Sequence, residues 1–271
     1  LAVERSLASY IHPHGRTQGI LLDYKVDQFH FMGSYNDGAA GVAAFPGGFL
    51  NGPTQAAYAS ALGYANAPAI PNAAYPVPDT EYAVTLRGEM LFSGNWEQFA
   101  DFTSPQGSEQ GIMAGAAVHY QSSEYGTSGA NSASPFADDE LKVLILTADV
   151  SMEFDGWNLF GAFVYQNLDA DVSEDQDNWG IVVQGGFYFT EELEGFARFE
   201  WADYDPAFST EDLQLLTIGV NSYYNENVKS TLDFGYAFNQ ALEVATITGW
   251  RPDIADEDGQ FVVRAQLQLV F

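Results

Sequence analysis

The sequence lacks cysteine and is poor in basic residues, and each shortage excludes a class of protein. None of its 271 residues is cysteine, which excludes disulfide frameworks and thiolate metal or redox sites. Only 9 Lys and Arg stand against 37 Asp and Glu, which gives a formal net charge of −28. Because so few cations could not neutralise a run of phosphates, nucleic acid is excluded as a partner.

Long apolar runs are also absent from the sequence. No run of about 18 apolar residues is present that could cross a bilayer as a helix, so a helical membrane protein is excluded. The 20 Phe, 15 Tyr and 26 Gly argue against a disordered acidic chain, which would be short of all three. A membrane protein built from strands remains open.

Apolar and polar side chains alternate along several segments, which is the period of a β-strand with two unlike faces. In the last segment, Phe261, Val263 and Ala265 oppose Val262, Arg264 and Gln266. The pattern predicts an all-β fold, a transmembrane antiparallel β-barrel with about 11 to 12 strands in this chain. The predicted strands are 17–26, 28–36, 82–92, 111–122, 144–154, 157–168, 179–190, 195–201, 213–224, 228–238 and 261–271.

The connections between these strands alternate in length. The short turns are predicted at 26–27, 155–156, 190–194 and 225–227, and the long connections at 38–79, 123–139, 169–178, 205–211 and 239–260. Such alternation is typical of outer-membrane barrels, with short periplasmic turns and long extracellular loops. The segment 94–109 is the exception, because it falls on the turn side and is long.

Aromatic residues near the strand ends favour the barrel over a soluble β-sandwich, the ordinary alternative for amphipathic strands. They could form the girdles found at membrane interfaces. The residues in question are Tyr24, Phe92, Phe154, Trp179, Phe189, Trp201, Tyr224, Phe238 and Phe271.

Three segments resemble the phosphate-selective porins of the O and P type, a family of bacterial outer-membrane proteins. LTIGVNSYYNENVKSTLDFGYAF at 216–238 is similar to that family's penultimate hairpin. VERSLA at 3–8 with GRTQGILL at 15–22, and VQGGFYFTEELEGFARFEWADYD at 183–205, are similar to two other stretches of it. The C-terminal strand, which ends in Phe271, resembles the assembly signal of outer-membrane barrels.

The resemblance implies a water-filled, trimeric channel of 16 strands in the bacterial outer membrane. It also implies that residues 1–271 are one barrel domain without its N-terminal strands. The arginine and lysine ladder with which such porins select phosphate does not map onto this sequence, so phosphate selectivity is not expected.

Alternation assigns a set of side chains to the lumen of such a channel. One interpretation is a wall of nearly balanced charge that orients hydrated solutes, and the other is that opposite charges simply pair across neighbouring strands. The predicted pore-lining residues are Asp23, Lys25, Arg87, Glu89, His119, Asp149, Glu153, Arg198, Glu200, Lys229, Asp233 and Arg264, with His30 on the same face.

The long loops offer further candidates. The segment between Gly38 and Pro78 has no charged residue and could fold into the lumen as a constriction or cap the barrel. The acidic runs 169–177 and 253–258 could bind divalent cations, although solvated loop tips are the ordinary interpretation. His12 and His14 form an adventitious metal pair or a turn. No GxSxG, HExxH or P-loop motif is present, so we expect no enzyme and no cofactor.

The sequence therefore predicts an outer-membrane porin for passive diffusion of small hydrophilic solutes or ions, a homotrimer in contact with outer-membrane lipid. The alternative is a structural or adhesive outer-membrane barrel whose acidic loops bind a partner or divalent cations. A soluble acidic β-protein is the third hypothesis.

Overall fold

A computed structural model describes residues 2, 19–36, 38, 79–124, 140–170, 175–204, 212–225, 227–239 and 259–269. These residues form one antiparallel sheet of 11 strands, in which each strand pairs with the next along the chain. The strands are β1 (Gly19–Val26), β2 (Phe29–Asn36), β3 (Asp79–Ser93), β4 (Gly111–Glu124), β5 (Glu140–Phe154), β6 (Trp157–Ala170), β7 (Gln176–Tyr188), β8 (Leu193–Tyr204), β9 (Leu213–Asn225), β10 (Val228–Ala237) and β11 (Gln260–Leu269).

The helical content of the described residues is a short 3-10 helix, Trp96–Ala100, between β3 and β4. None of the helices in this part of the chain is long and apolar enough to cross a membrane. The all-β antiparallel fold class predicted from alternation is confirmed, and each of the 11 predicted segments forms a strand. The largest difference is in β5, which begins at Glu140 rather than at residue 144.

Short connections follow the odd-numbered strands, except β3, and gather at one end of the sheet, the turn end. The turn between β5 and β6 is Asp155 and Gly156, and Gly156 has a φ of 78°, which a side chain would disfavour. Asp27, in the turn between β1 and β2, also has a positive φ, of 48°. The predicted turn at 190–194 is partly wrong, because β8 begins at Leu193 and places Glu194 inside the strand.

Longer connections follow the even-numbered strands at the opposite end of the sheet. They cover 37–78, 125–139, 171–175, 205–212 and 238–259, and most of their residues lie outside the described part of the chain. The predicted constriction loop 38–79 and the acidic run 253–258 belong to them.

The two faces of the sheet differ in chemistry and in burial. The face that carries Arg87, Asp149, Arg198 and Asp233 is called the polar face, and the opposite one is called the apolar face. Apart from Leu21 and Phe102, the large apolar side chains that are exposed lie on the apolar face. The side chains that are buried on the strands lie, except for Ser122, on the polar face, so the sheet curves towards it and crowds its side chains. The segment 157–168, apolar on both faces in sequence, follows the same rule: Phe163 is 41% exposed on the apolar face, whereas Gln166 is buried on the polar face.

Aromatic side chains on the apolar face pair near the strand ends. At the turn end, the rings of Phe154 and Trp157 stack with centroids 4.0 Å apart, and at the opposite end those of Trp179 and Trp201 are 3.7 Å apart. Such bands at both strand ends are typical of proteins that span a membrane as barrels. All the predicted girdle residues lie on this face except Phe271, which is outside the described residues.

The two faces predict opposite responses to a charge placed at mid-strand. Phe163→Arg puts a cation on the exposed apolar face of β6, and we expect the free energy of unfolding to fall by about 2–4 kcal/mol if a bilayer covers that face. The matched control is Val164→Arg on the polar face of the same strand. This variant should lose clearly less free energy of unfolding. Urea unfolding of protein folded into phospholipid bilayers measures both, and equal losses would contradict the assignment of the faces.

Candidate functional site

The polar face brings the predicted site residues together on one surface of the sheet. Register places them there strand by strand: Glu89 lies opposite His30 and Gly115, and Asp149 lies opposite Gly115 on the next strand. The same alternation holds as far as Arg264, which lies opposite Asp233. The side chains that share this face are Asp23, Lys25, His30, Arg87, Glu89, His119, Asp149, Glu153, Arg198, Glu200, Lys229, Asp233 and Arg264.

A ladder of charged side chains runs over β1 to β5. His30 lies between two carboxylates, with Nε2 3.0 Å from Asp23 Oδ1 and Nδ1 2.8 Å from Glu89 Oε2. The guanidinium of Arg87 donates from Nε to Glu89 Oε1 at 2.8 Å, and from Nη1 and Nη2 to the two oxygens of Asp149 at 2.7 and 3.0 Å. Two parallel bonds from one guanidinium hold the partner in a defined orientation.

The reach of Arg87 depends on small residues of β4. Arg87 is on β3 and Asp149 is on β5, so the guanidinium has to cross the strand between them. It crosses at Gly115, where a Cβ would collide with Arg87 Nη2. Ala117 is the residue directly opposite Arg87 and is also small. Residue size on β4 therefore decides which strands this ladder connects.

Two further ion pairs lie on β8 to β11. Arg198 Nε is 2.9 Å from Glu200 Oε2, and both side chains are almost fully buried. Arg264 Nε donates to Asp233 Oδ1 at 2.7 Å, and the Asp233 side chain has no exposed surface. Buried pairs are retained only where each charge meets its partner closely, because desolvation opposes burial of either alone.

The remaining predicted site residues have weaker or neutral partners. His119 Nδ1 is 2.8 Å from Thr85 Oγ1, on the neighbouring strand. Lys25 Nζ lies 4.6 Å from the centre of the Trp96 ring, and Lys229 Nζ lies 5.8 Å from that of Tyr223, distances at which a cation interacts with a ring face.

A buried carboxylate at the turn end was missed by the sequence analysis. Glu194, with no exposed surface, accepts hydrogen bonds from Asn158 Nδ2 at 3.2 Å, Asn221 Nδ2 at 2.9 Å and Tyr223 OH at 2.8 Å. The network continues through Asn221 Oδ1, which accepts from Thr231 Oγ1 at 2.6 Å. Alternation counted back from Glu200 would have placed Glu194 on the polar face, but it was assigned to a turn.

Some predicted candidates lie outside the described residues. These include His12, His14, residues 171–174 of the acidic run 169–177, and the whole of the run 253–258. Among the residues that the structure does describe, no group of three or more His, Cys, Asp or Glu is placed to hold a metal ion. The divalent-cation sites stay predictions.

The described residues carry six basic side chains, and they are distributed unevenly. Lys25, Arg87, Arg198, Lys229 and Arg264 lie on the polar face, whereas Lys142 lies on the apolar face near the end of β5 that is opposite the turns. Within the described residues the basic side chains are therefore concentrated on one surface. That surface is suited to contact with water and ions rather than with hydrocarbon.

Comparison with known proteins finds similar folds but no matching sequence family. No family model matches the chain, so its resemblance to phosphate-selective porins is not confirmed. No curated protein matches it either.

Similar solved structures are of OmpT, an outer-membrane protein of Vibrio cholerae. The outer-membrane expressed protein is 12% identical over 91% of this chain and 63% of the other, with a TM-score of 0.49. The in-vitro folded protein is 11% identical, over 91% and 62%, with a TM-score of 0.48. The variant without loop L8 is 11% identical, over 81% and 56%, with a TM-score of 0.44. This chain spans less than two thirds of the length of each. All three are outer-membrane proteins, and the outer membrane is the location predicted for this chain.

The prediction that the chain is not an enzyme was wrong, because the absence of three motifs does not exclude enzymatic activity. It depended on three motifs that require a helix beside a strand or loop, whereas the described residues form strands and a short 3-10 helix. Their absence from an all-β sheet therefore excludes no activity.

Glu194 gives the sharpest test of the polar-face networks. Glu194→Gln places an amide where Asn221 and Tyr223 donate, and we expect a loss of about 1–3 kcal/mol in the free energy of unfolding. The matched control is Glu191→Gln, an exposed position in the adjacent turn, which should change little. Urea unfolding in bilayers measures both variants. A loss at Glu194 no larger than at Glu191 would show that the network contributes nothing.

Proposed function

We propose that this sheet forms part of the wall of an outer-membrane β-barrel that conducts small hydrophilic solutes or ions. One observation carries the proposal: a single-layer sheet exposes large apolar side chains on one face and gathers ion pairs and hydrogen-bonded amides on the other. A bilayer would cover the first face, and a water-filled lumen would hydrate the second.

The apolar face argues against a soluble protein. Within the described residues no second sheet or helix packs on it, and side chains such as Leu22, Leu86 and Phe261 are 73%, 53% and 69% exposed. Soluble monomers rarely expose an apolar surface that extends over many strands. In hydrocarbon, unlike in water, the exposure of these apolar side chains carries no free-energy cost.

Strand direction limits how the sheet can close. Because every neighbouring pair is antiparallel, β1 and β11 run in the same direction. Closure by antiparallel pairs therefore requires an odd number of further strands, which gives the even total found in bacterial outer-membrane barrels. The total of 16 strands and the trimer, both implied by family resemblance, belong to this proposal.

The charges of the polar face support a lumen with a local transverse field. Arg87 with Asp149 and Arg264 with Asp233 set positive and negative groups side by side across strands. Paired charges of this kind orient water and polar solutes without a large net charge. We therefore propose diffusion of small hydrophilic solutes rather than strong selection of one ion.

Planar-bilayer recording tests this function. We expect stepwise open-channel currents from the folded protein, and in a salt gradient Lys229→Glu should move the reversal potential towards cation preference, because Lys229 lies on the polar face. The matched control, Lys142→Glu, makes the same charge change on the apolar face and should leave the reversal potential unchanged. A correctly folded barrel that passes no current would overturn the proposal and favour the structural or adhesive alternative.

A further inference from the structure

The connection between β3 and β4 is much longer than its task requires. The two strands are neighbours in the sheet, yet 17 residues, Gly94–Gln110, join them at the end where other connections are tight turns. We call these residues the ledge. Its described contacts extend from the turn between β1 and β2 as far as β7.

One part of the ledge is anchored on β1 and β2. Asn95 begins the 3-10 helix, and its side chain accepts a hydrogen bond from Gln98 N at 3.0 Å. Trp96 then donates from Nε1 to the carbonyl oxygen of Asp27 at 3.1 Å. Its ring lies beneath Lys25 Nζ and meets the ring of His30 edge-on at 5.7 Å. Because Lys25 and His30 belong to the polar face, Trp96 lies on that side of the sheet.

A second anchor lies over β4 and β5. Gly111 is directly opposite Glu153, and both positions point to the polar face. The carboxamide of Gln98 occupies the space where a Cβ of Gly111 would stand, and it contacts Glu153. Gln98 Nε2 also donates to the carbonyl oxygen of Glu109 at 2.6 Å, which joins the two ends of the ledge.

A third set of contacts extends the ledge to β6 and β7. The rings of Phe102 and Phe160 meet edge-on at 4.8 Å, and Phe160 is a polar-face position of β6. Buried Ser104 donates to the carbonyl oxygen of Phe154 at 2.5 Å. Gln106 Nε2 donates to the carbonyl oxygen of Tyr188 at 3.4 Å. These contacts also lie along the turn end.

We propose that the ledge is an internal constriction that limits the size of solutes at the turn end of the channel. Anchors on polar-face positions of β2, β4 and β6 hold its backbone on the lumen side rather than outside the rim. Phe102 remains 39% exposed, and Glu97, Ala100 and Asp101 are exposed as well, so part of the ledge is turned away from the wall. The inference depends on the proposed function, because only a channel can be constricted.

Single cysteines test the ledge directly, because the chain contains no other thiol. Ala100→Cys places a thiol on the exposed end of the 3-10 helix, and Glu97→Cys is a second exposed position should the first variant fold poorly. Addition of a bulky methanethiosulfonate reagent during bilayer recording should lower the open-channel current roughly twofold or more, as expected for a group added at a constriction.

The control is Glu191→Cys, an exposed position in the turn between β7 and β8 that has no ledge contact in the described structure. Its modification should leave the current unchanged. Normal current with no effect of the reagent at positions 97 and 100 would overturn the ledge proposal alone and assign the segment a bracing role. Absence of current before the reagent is added would overturn the proposed function and, with it, this inference.

Discussion

The pleat of each strand decides which face of the sheet a side chain lies on, and therefore which groups it can contact. Backbone hydrogen bonds between antiparallel neighbours set the register, and the pleat then sends successive residues to opposite faces. In this way Glu89, Gly115 and Asp149 come to lie in one row across three strands. A slip of one residue in β4 would turn Gly115 to the apolar face, and the path of Arg87 to Asp149 would be lost.

The faces of the strands could be predicted from the sequence because they depend only on local alternation. The strand β10 alternates so regularly that its inward residues, and its bounds to within one residue, follow from the sequence. The start of β5 was harder to predict, since Glu140 to Val143 include a charged pair that resembles a loop. In β6, which is apolar on both faces, only the neighbouring strands show which face is polar. Asn158 lies opposite Glu153 of β5, and Gln166 lies opposite Asn178 of β7.

The contacts across strands could not be predicted, because they depend on register and on the space left by small residues. Nothing local to Arg87 shows that it reaches over β4, and Gly115 acquires that role only once β5 is in place. Glu194 was missed for a related reason: next to a turn, one residue of uncertainty at a strand end decides whether a carboxylate is solvated or buried. The ledge resembled an irregular loop in sequence, since its anchors lie on β2, β4 and β6.

The distribution of charge follows from the same crowding. The 11 predicted polar-face charges and Glu194 amount to five basic and seven acidic groups, a small part of a net charge of −28. On a curved, crowded face the basic groups meet carboxylates closely, so each pair acts as a local dipole and its field falls off rapidly with distance. Carboxylates without such partners therefore determine the long-range field that a solute meets. Glu97 and Asp101 on the ledge are exposed and belong to a segment that has no basic residue. If the sheet lines a channel as proposed, its paired wall charges would orient solutes, and the exposed carboxylates of the ledge would give the turn end a negative potential.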